Sequence, residues 1–205
     1  NCTKTSIDTS KGIDTSEAPS VKTINYTNSG EAQSVTICTN SAEVTLNINA
    51  PNDVVNHFGI LSQLNVIAIA NDCFYEFGLT AYAKIDSGKI VINKGGQISV
   101  LFATNSAVQV SENEGNVLSA YCESNDSKPT DTNVTFNVAT KEEIAILGDK
   151  AKQDALNEFL SNNNNVARID QVSYVSLQAA IDDAAYGAEI VVLKDIKLIP
   201  ETFID

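Results

Sequence analysis

One histidine and four nearby carboxylic acids are the side chains of this sequence that could carry out chemistry. His57 is the only histidine, so a site that pairs a nucleophile with an imidazole base would have to use it. Asp53, Asp72, Glu76 and Asp86 lie in the same part of the chain. Two carboxylates about 5 to 10 Å apart would suit glycoside hydrolysis, and carboxylates on neighbouring turns of a repetitive fold could bind Ca²⁺. These five residues are the candidate ligand-binding residues.

The positions of these residues favour a non-catalytic interpretation. His57 and Glu76 begin two similar segments, His57–Leu61 and Glu76–Thr80. Different polar residues at one place of a repeat indicate a solvent-exposed turn, and the aspartates lie in turn-like segments where Asp often makes only local hydrogen bonds. The region also lacks arginine, and the chain lacks tryptophan for sugar stacking. We therefore expect no catalytic residue and no assigned metal ligand; Ca²⁺ is the one cofactor that the carboxylates could hold.

The elements that must position these residues are short apolar runs between residues 44 and 121, each closed by a turn. Glycines punctuate them at Gly59, Gly78 and Gly96, spaced 19 and 18 residues apart. A repeat of short strands and turns at this spacing is typical of a β-solenoid. A β-sandwich followed by a small α/β domain also fits the strand lengths, and the glycine spacing ranks it second. The asparagines Asn47, Asn49 and Asn65 recur between apolar residues, where they could either form inward ladders or face solvent.

The flanking segments differ in character from the solenoid region. Residues 1–20 are polar and are expected to be a tail or a loosely paired leading strand. Strands are expected from residue 21 to residue 138, and the polar residues 123–133 are expected to be a linker or an exposed loop. Thr140 and Glu143 match a capping box, which predicts a helix over residues 141–160. A strand at 166–169 or 171–174, a second helix from Ser176 to near Gly187, and a strand at 189–193 should follow.

Composition excludes some functions. The chain has 13 basic and 26 acidic residues, a net charge of −13, which opposes binding to nucleic acid and to anionic lipid. The apolar runs are too short to span a bilayer.

The sequence contains no methionine and begins without a signal peptide, so we expect a processed or truncated piece of a longer protein. The four cysteines permit two disulfides in three pairings, but Cys38, Cys73 and Cys122 flank apolar runs and are expected to be buried thiols.

A family resemblance lies near the C-terminus. The segments Ser176–Ile181, Ala184–Leu193 and Lys194–Ile196 resemble the opening motif of right-handed parallel β-helix domains, of the pectin-lyase-like kind, in bacterial surface proteins. Residues 49–59 also resemble turns of such proteins. The resemblance implies capping α-helices, a secreted or cell-surface bacterial protein, and a second β-helix that begins within residues 139–205. Because the sequence ends soon after this motif, we expect a fragment whose second β-helix has been cut off.

Taken together, the sequence predicts a mainly β protein, a right-handed parallel β-helix with capping α-helices and a small C-terminal α/β segment. The expected function is a non-catalytic cell-surface or secreted module with a structural, adhesive or carbohydrate-binding role. Its partners would be carbohydrate or a host or cell-surface protein, without nucleic acid and without membrane insertion. The alternative is a polysaccharide lyase or glycoside hydrolase on the same scaffold, for which the four carboxylates would have to converge in a groove.

Overall fold

The structure is a computed structural model that describes residues 13–14, 23–40, 42–69, 74–164, 167–169, 172–174, 177, 180–181 and 184–192. Contacts divide the chain into two compact units, Asn1–Leu156 and Asn157–Asp205. The predicted N-terminal tail and the candidate Asp72 lie outside the described residues, apart from the short strand Ile13–Asp14.

Twelve strands form the β-rich part of the first unit. They are β1 (Ile13–Asp14), β2 (Thr23–Thr27), β3 (Ser34–Asn40), β4 (Thr45–Ala50), β5 (Val54–Ile69), β6 (Phe74–Glu76), β7 (Leu79–Ile85), β8 (Lys89–Asn93), β9 (Gln97–Ala103), β10 (Gln109–Asn113), β11 (Asn116–Cys122) and β12 (Phe136–Val138). Every pairing between them is parallel.

The strands stack as two parallel columns. The first sheet contains β1, β3, the first half of β5, β6, β8 and β10; the second contains β2, β4, the second half of β5, β7, β9, β11 and β12. Each turn of about 20 residues therefore supplies one strand to each sheet, and β5 runs through both. The result is a right-handed parallel β-helix of about six turns, as predicted. The β-sandwich alternative is wrong, because a sandwich of that kind needs antiparallel strands.

Apolar side chains fill the space between the two sheets in straight columns. In the second sheet, one column of buried residues in register is Ile24, Leu46, Leu64, Ala83, Leu101, Ala120 and Phe136. In the first sheet, the equivalent column is Val35, Val55, Phe74, Ile90 and Val110. Strand side chains alternate between the two faces of a sheet, so every second residue enters this core.

The repeated glycines are required by close contact between turns. Gly59 has φ +103°, and a Cβ built on it would lie 1.8 Å from the carbonyl oxygen of Thr39. A Cβ on Gly78 would lie 2.3 Å from the carbonyl oxygen of Gly59. The spacing near 19 residues that predicted a solenoid is therefore the spacing at which backbones of successive turns touch.

Helix α1 (Lys141–Asn164) follows β12 and begins where the sequence predicts. The Glu143 amide donates to Thr140 Oγ1 at 3.2 Å, and the Thr140 amide donates to Glu143 Oε2 at 2.8 Å, which completes the capping box. The Thr140 hydroxyl also donates to Glu143 Oε2 at 2.9 Å, and the two hydrogen bonds that the Thr140 amide and hydroxyl donate to this carboxylate lower the pKa of Glu143. Gly148 lies against the ring of Tyr82 in β7, where a Cβ would come within 2.8 Å of Cδ2. The helix thus rests on the outer face of the second sheet.

The second unit contains a small antiparallel sheet. Strands β13 (Ala167–Ile169), β14 (Val172–Tyr174) and β15 (Ile190–Val192) pair in the order β14–β13–β15. The sequence predicted one strand at 166–169 or 171–174, and both segments form strands. Of the predicted second helix, Leu177, Ala180 and Ile181 are described as helical. That residues 139–205 begin a second β-helix stays a prediction.

Candidate functional site

Four polar side chains lie buried inside the first unit as one cluster. Thr39, His57 and Glu76 are 0% exposed and Thr80 is 1% exposed. They belong to three consecutive turns: Thr39 is the penultimate residue of β3, His57 lies in β5, Glu76 ends β6 and Thr80 lies in β7. The parallel register pairs His57 directly with Glu76. Buried polar groups of this kind must be hydrogen-bonded to one another or to the backbone.

The hydrogen bonds run as a chain across the turns. Thr39 Oγ1 lies 2.8 Å from His57 Nε2, and His57 Nδ1 lies 2.7 Å from Glu76 Oε1. The Gly78 amide donates to Glu76 Oε1 at 2.7 Å, and Thr80 Oγ1 donates to Glu76 Oε2 at 2.5 Å. The sequence of hydroxyl, imidazole and carboxylate is the one found in hydrolytic triads.

The protons are placed differently from those of a hydrolytic triad. Thr39 Oγ1 has a single proton, and it donates that proton to the carbonyl oxygen of Ile60 at 2.6 Å. Nε2 of His57 must then donate to Thr39 Oγ1, so it carries a proton and cannot act as a base toward the hydroxyl. Because these side chains are at most 1% exposed and bond to one another, the cluster joins consecutive turns of the β-helix.

The expectation that His57 and Glu76 occupy a solvent-exposed turn is wrong. Each lies two residues after a buried apolar residue, Val55 and Phe74 respectively, so strand alternation turns both side chains inward. The residues that follow them, Phe58 and Phe77, point outward and stack with ring centroids 4.7 Å apart.

Thr39 and Thr80 were missed in the sequence. The residues around Thr39 and those around Thr80 share no sequence motif, and threonine is common on both faces of strands. The one usable signal is the alternation of side chains along a strand, which places Thr39 on the same inward face as Ile37.

Asp53 forms a second buried cluster at the corner between β4 and β5. Its carboxylate accepts hydrogen bonds from the Tyr26 hydroxyl, from Asn28 Nδ2 at 2.9 Å and from the Gln33 amide at 2.9 Å. Burial, together with the hydrogen bond to Asp53 and its negative charge, raises the pKa of Tyr26 well above its usual range. Asp53 therefore holds the loop between β2 and β3 against the next turn, and its hydrogen bonds reach across 20 to 27 residues instead of being local.

Asp86, the remaining candidate among the described residues, does not join these clusters. Asp86 lies at the end of β7, where its side chain is 36% exposed and forms an ion pair of 3.4 Å with Lys84. Asp72 lies outside the described residues. Among the described candidates, Asp53 and Glu76 are buried in separate networks and Asp86 faces solvent, so they form no common groove. Within the described part of the chain, no group of three or more His, Cys, Asp or Glu residues could hold a metal ion.

The outer face of the second sheet carries an ordered row of amides. Asn25, Asn47 and Asn65 are in register on successive turns. Asn65 Nδ2 donates to Asn47 Oδ1 at 2.7 Å, and Asn47 Nδ2 donates to Asn25 Oδ1 at 2.8 Å. Gln63 Nε2 donates to Asn65 Oδ1 at 2.9 Å. We call these four residues the amide ladder. Of the two placements considered for the recurring asparagines, the ladder forms, but on the outer face.

Lys152 of α1 gives the amide ladder its direction. Its Nζ lies 3.3 Å from Gln63 Oε1, and an ammonium group can only donate hydrogen bonds. The oxygen of Gln63 therefore faces Lys152, and each amide in turn must donate toward the N-terminal turn. Lys152 is itself held by Asp149 at 2.8 Å and by the Tyr82 ring, whose centroid lies 5.8 Å away.

Cys38 corrects the expectation for the cysteines. It forms a disulfide, whereas Cys122 is a buried thiol as expected. Cys2 and Cys73 lie outside the described residues. No described helix has the length and apolar content needed to cross a lipid bilayer.

Comparisons with protein-family models, with curated proteins and with solved structures found no match to this chain.

Proposed function

We propose that this chain is a non-catalytic module of a secreted or cell-surface bacterial protein, with an adhesive role carried by the outer faces of its β-helix. The observation that carries the proposal is the placement of the acidic candidates. Glu76 and Asp53 are 0% exposed and are used to join turns, while Asp86 is paired with Lys84 on the surface. A hydrolase or lyase on this scaffold needs reactive groups that reach a substrate, whereas Glu76 and Asp53 are buried and Asp86 is engaged with Lys84.

The surrounding features support an extracellular, structural setting. A disulfide at Cys38 is the kind of bond that persists in oxidising compartments and is rare in the cytosol. The stacked turns make a rigid surface on which weak contacts can be repeated. The bacterial origin rests on the resemblance of the C-terminal motif, and the partner class is carbohydrate or a surface protein. No described residue specifically favours the lyase or hydrolase alternative.

The test is a direct search for product. The full chain is incubated with neutral and uronic-acid polysaccharides, with and without Ca²⁺, while reducing ends and the absorbance of unsaturated uronates are followed. We expect no product above the rate of a heat-denatured sample. Product formation that is lost in Asp86→Asn would overturn the proposal and point to a surface active site.

A second experiment tests the extracellular setting. Alkylation of the unfolded, unreduced protein should leave Cys38 unmodified, and a free Cys38 thiol in secreted material would remove the support that the disulfide gives to an extracellular location.

A further inference from the structure

We infer that the amide ladder and its neighbours form a binding platform for a neutral, extended, β-linked polysaccharide whose chain runs along the β-helix axis. The inference rests on the adhesive role proposed above and names the class of ligand. It concerns the outer face of the second sheet over three consecutive turns, which are represented by β2, β4 and the second half of β5.

The platform has unused hydrogen-bonding groups on both sides of the ladder. Thr23 and Thr45 are register partners on one side, and Thr27 and Asn49 are register partners on the other. Thr23, Thr27 and Asn49 are exposed and Thr45 is partly exposed. Within the described part of the chain, the side chains of these four residues form no hydrogen bond. The platform therefore presents hydroxyls and an amide that a ligand could satisfy.

The ladder itself keeps this surface ordered before any ligand arrives. Its amides are held head to tail at 2.7 to 2.9 Å, and Lys152 sets their direction. Each amide still has a second N–H and a second lone pair. Groups that are already fixed lose little conformational entropy on binding, which is the usual advantage of preorganised sites.

The spacing and the charge of the platform select the ligand. Successive turns repeat at about 4.8 Å, which is close to the length of one pyranose residue in an extended β-linked glycan, so each sugar would meet one turn. The platform side chains are uncharged, and the chain carries a net charge of −13, which disfavours polyanions. Nucleic acid and polyuronate are therefore poor candidates, and a neutral polyhydroxyl polymer is the fitting one.

The experiment measures retention of the full chain on insoluble cellulose and chitin and its mobility in gels that contain soluble neutral β-glucan, with polygalacturonate as the anionic comparison. The test variant is Thr23→Ala/Thr45→Ala/Asn49→Ala, which leaves the ladder intact. The matched control is Asn116→Ala/Thr135→Ala/Asn137→Ala, three exposed residues that line a groove of about 390 Å³ beside β11 and β12. Thermal unfolding of both variants verifies that they fold.

We expect the wild type and the control to bind at least one neutral β-glycan and to ignore polygalacturonate. The test variant should bind about tenfold more weakly, the change expected from a few lost hydrogen bonds. Equal binding by all three proteins, loss of binding in the control alone, or preference for polygalacturonate would overturn the inference. Absence of wild-type binding to every neutral glycan would also overturn it, while the proposed function would still be judged by product formation.

Discussion

His57 Nδ1 lies 2.7 Å from Glu76 Oε1, and the two residues sit in direct register on adjacent turns of the β-helix, 19 positions apart in sequence. Neither side chain is exposed to solvent. Buried pairs of this kind are poor evidence of net stabilisation, but breaking one is costly because the remaining partner keeps its desolvation penalty. The pair therefore fixes the register of the two turns.

Replacing Glu76 by glutamine tests this role. Glutamine has one oxygen in place of two, so it can accept the hydrogen bond from Gly78 or the one from Thr80 but not both, and it lacks the charge that faces His57. We therefore expect the free energy of unfolding to fall by about 3 kcal/mol. Urea denaturation at pH 7 measures the loss. The control is Glu114→Gln, because Glu114 is exposed and makes only a loose ion pair with Lys94 at 3.6 Å, which should contribute less than about 1 kcal/mol. Equal effects of the two substitutions would contradict the assignment.

The proton on His57 Nε2 separates a structural cluster from a catalytic one. Since the Thr39 hydroxyl donates to Ile60, Nε2 should carry a directly bonded proton that exchanges slowly with water. A ¹⁵N-labelled sample examined by NMR at neutral pH would show it as a one-bond N–H correlation of the single imidazole. Thr39→Val should make that proton exchange faster, because it removes the acceptor. An unprotonated Nε2 that accepts from Thr39 would instead revive the triad interpretation.

The glycines offer a test of the contact between turns. Gly59→Ala and Gly78→Ala should each lower the free energy of unfolding, by about 3 kcal/mol or more for Gly59, where a backbone clash adds to a strained φ. Gly30→Ala is the control, since its Cβ would meet only the Asn28 side chain at 3.3 Å. Chemical denaturation of the three variants gives the comparison. A Gly59→Ala protein as stable as Gly30→Ala would show that the turns are packed less closely.

The parts of the structure that a single local rule determines can be predicted from the sequence. The glycine spacing predicted the solenoid because a Cβ at Gly59 or Gly78 would strike the neighbouring turn. The capping box at Thr140 predicted the start of α1 because both of its hydrogen bonds join residues three apart.

Side chains whose partners are distant in the chain could not be placed from the sequence. Asp53 looked like a turn residue, yet its partner Tyr26 is 27 residues away. His57 looked exposed because its equivalent is a different polar residue, and the hydrogen bond that joins the two was not foreseen. Disulfide formation at Cys38 was missed because cysteine spacing does not determine pairing.

Alkaline pH should weaken the corner held by Asp53. The pKa of Tyr26 is raised in the folded state, so its contribution to stability is complete below the unfolded value of about 10 and is lost as pH rises above it. At pH 7, Tyr26→Phe removes the hydroxyl hydrogen bond to Asp53 Oδ2, which then keeps only the bond from Asn28 Nδ2 at 3.0 Å, and this should cost about 1 to 3 kcal/mol. The difference between wild type and variant should shrink from about pH 10 upward. Urea denaturation at pH 7 and pH 10.5 measures both quantities, and a constant difference would contradict the shifted pKa.

Lys152 should control the order of the amide ladder without contributing much to stability. Lys152→Met removes the donor that fixes Gln63 Oε1. The side-chain amides of Gln63, Asn65 and Asn47 are then free to exchange the positions of their oxygen and nitrogen atoms. We expect faster hydrogen exchange of these side-chain amides, measured by NMR, with a stability change below about 1 kcal/mol because the ion-pair partner of Lys152, Asp149, is 75% exposed. The control is Lys150→Met, which breaks an exposed ion pair with Asp154 on the same helix and should leave the ladder unchanged. If hydrogen exchange in the ladder were the same in both variants, the asparagines would hold their orientation without Lys152. That result would contradict the claim that Lys152 sets the direction of the amide ladder.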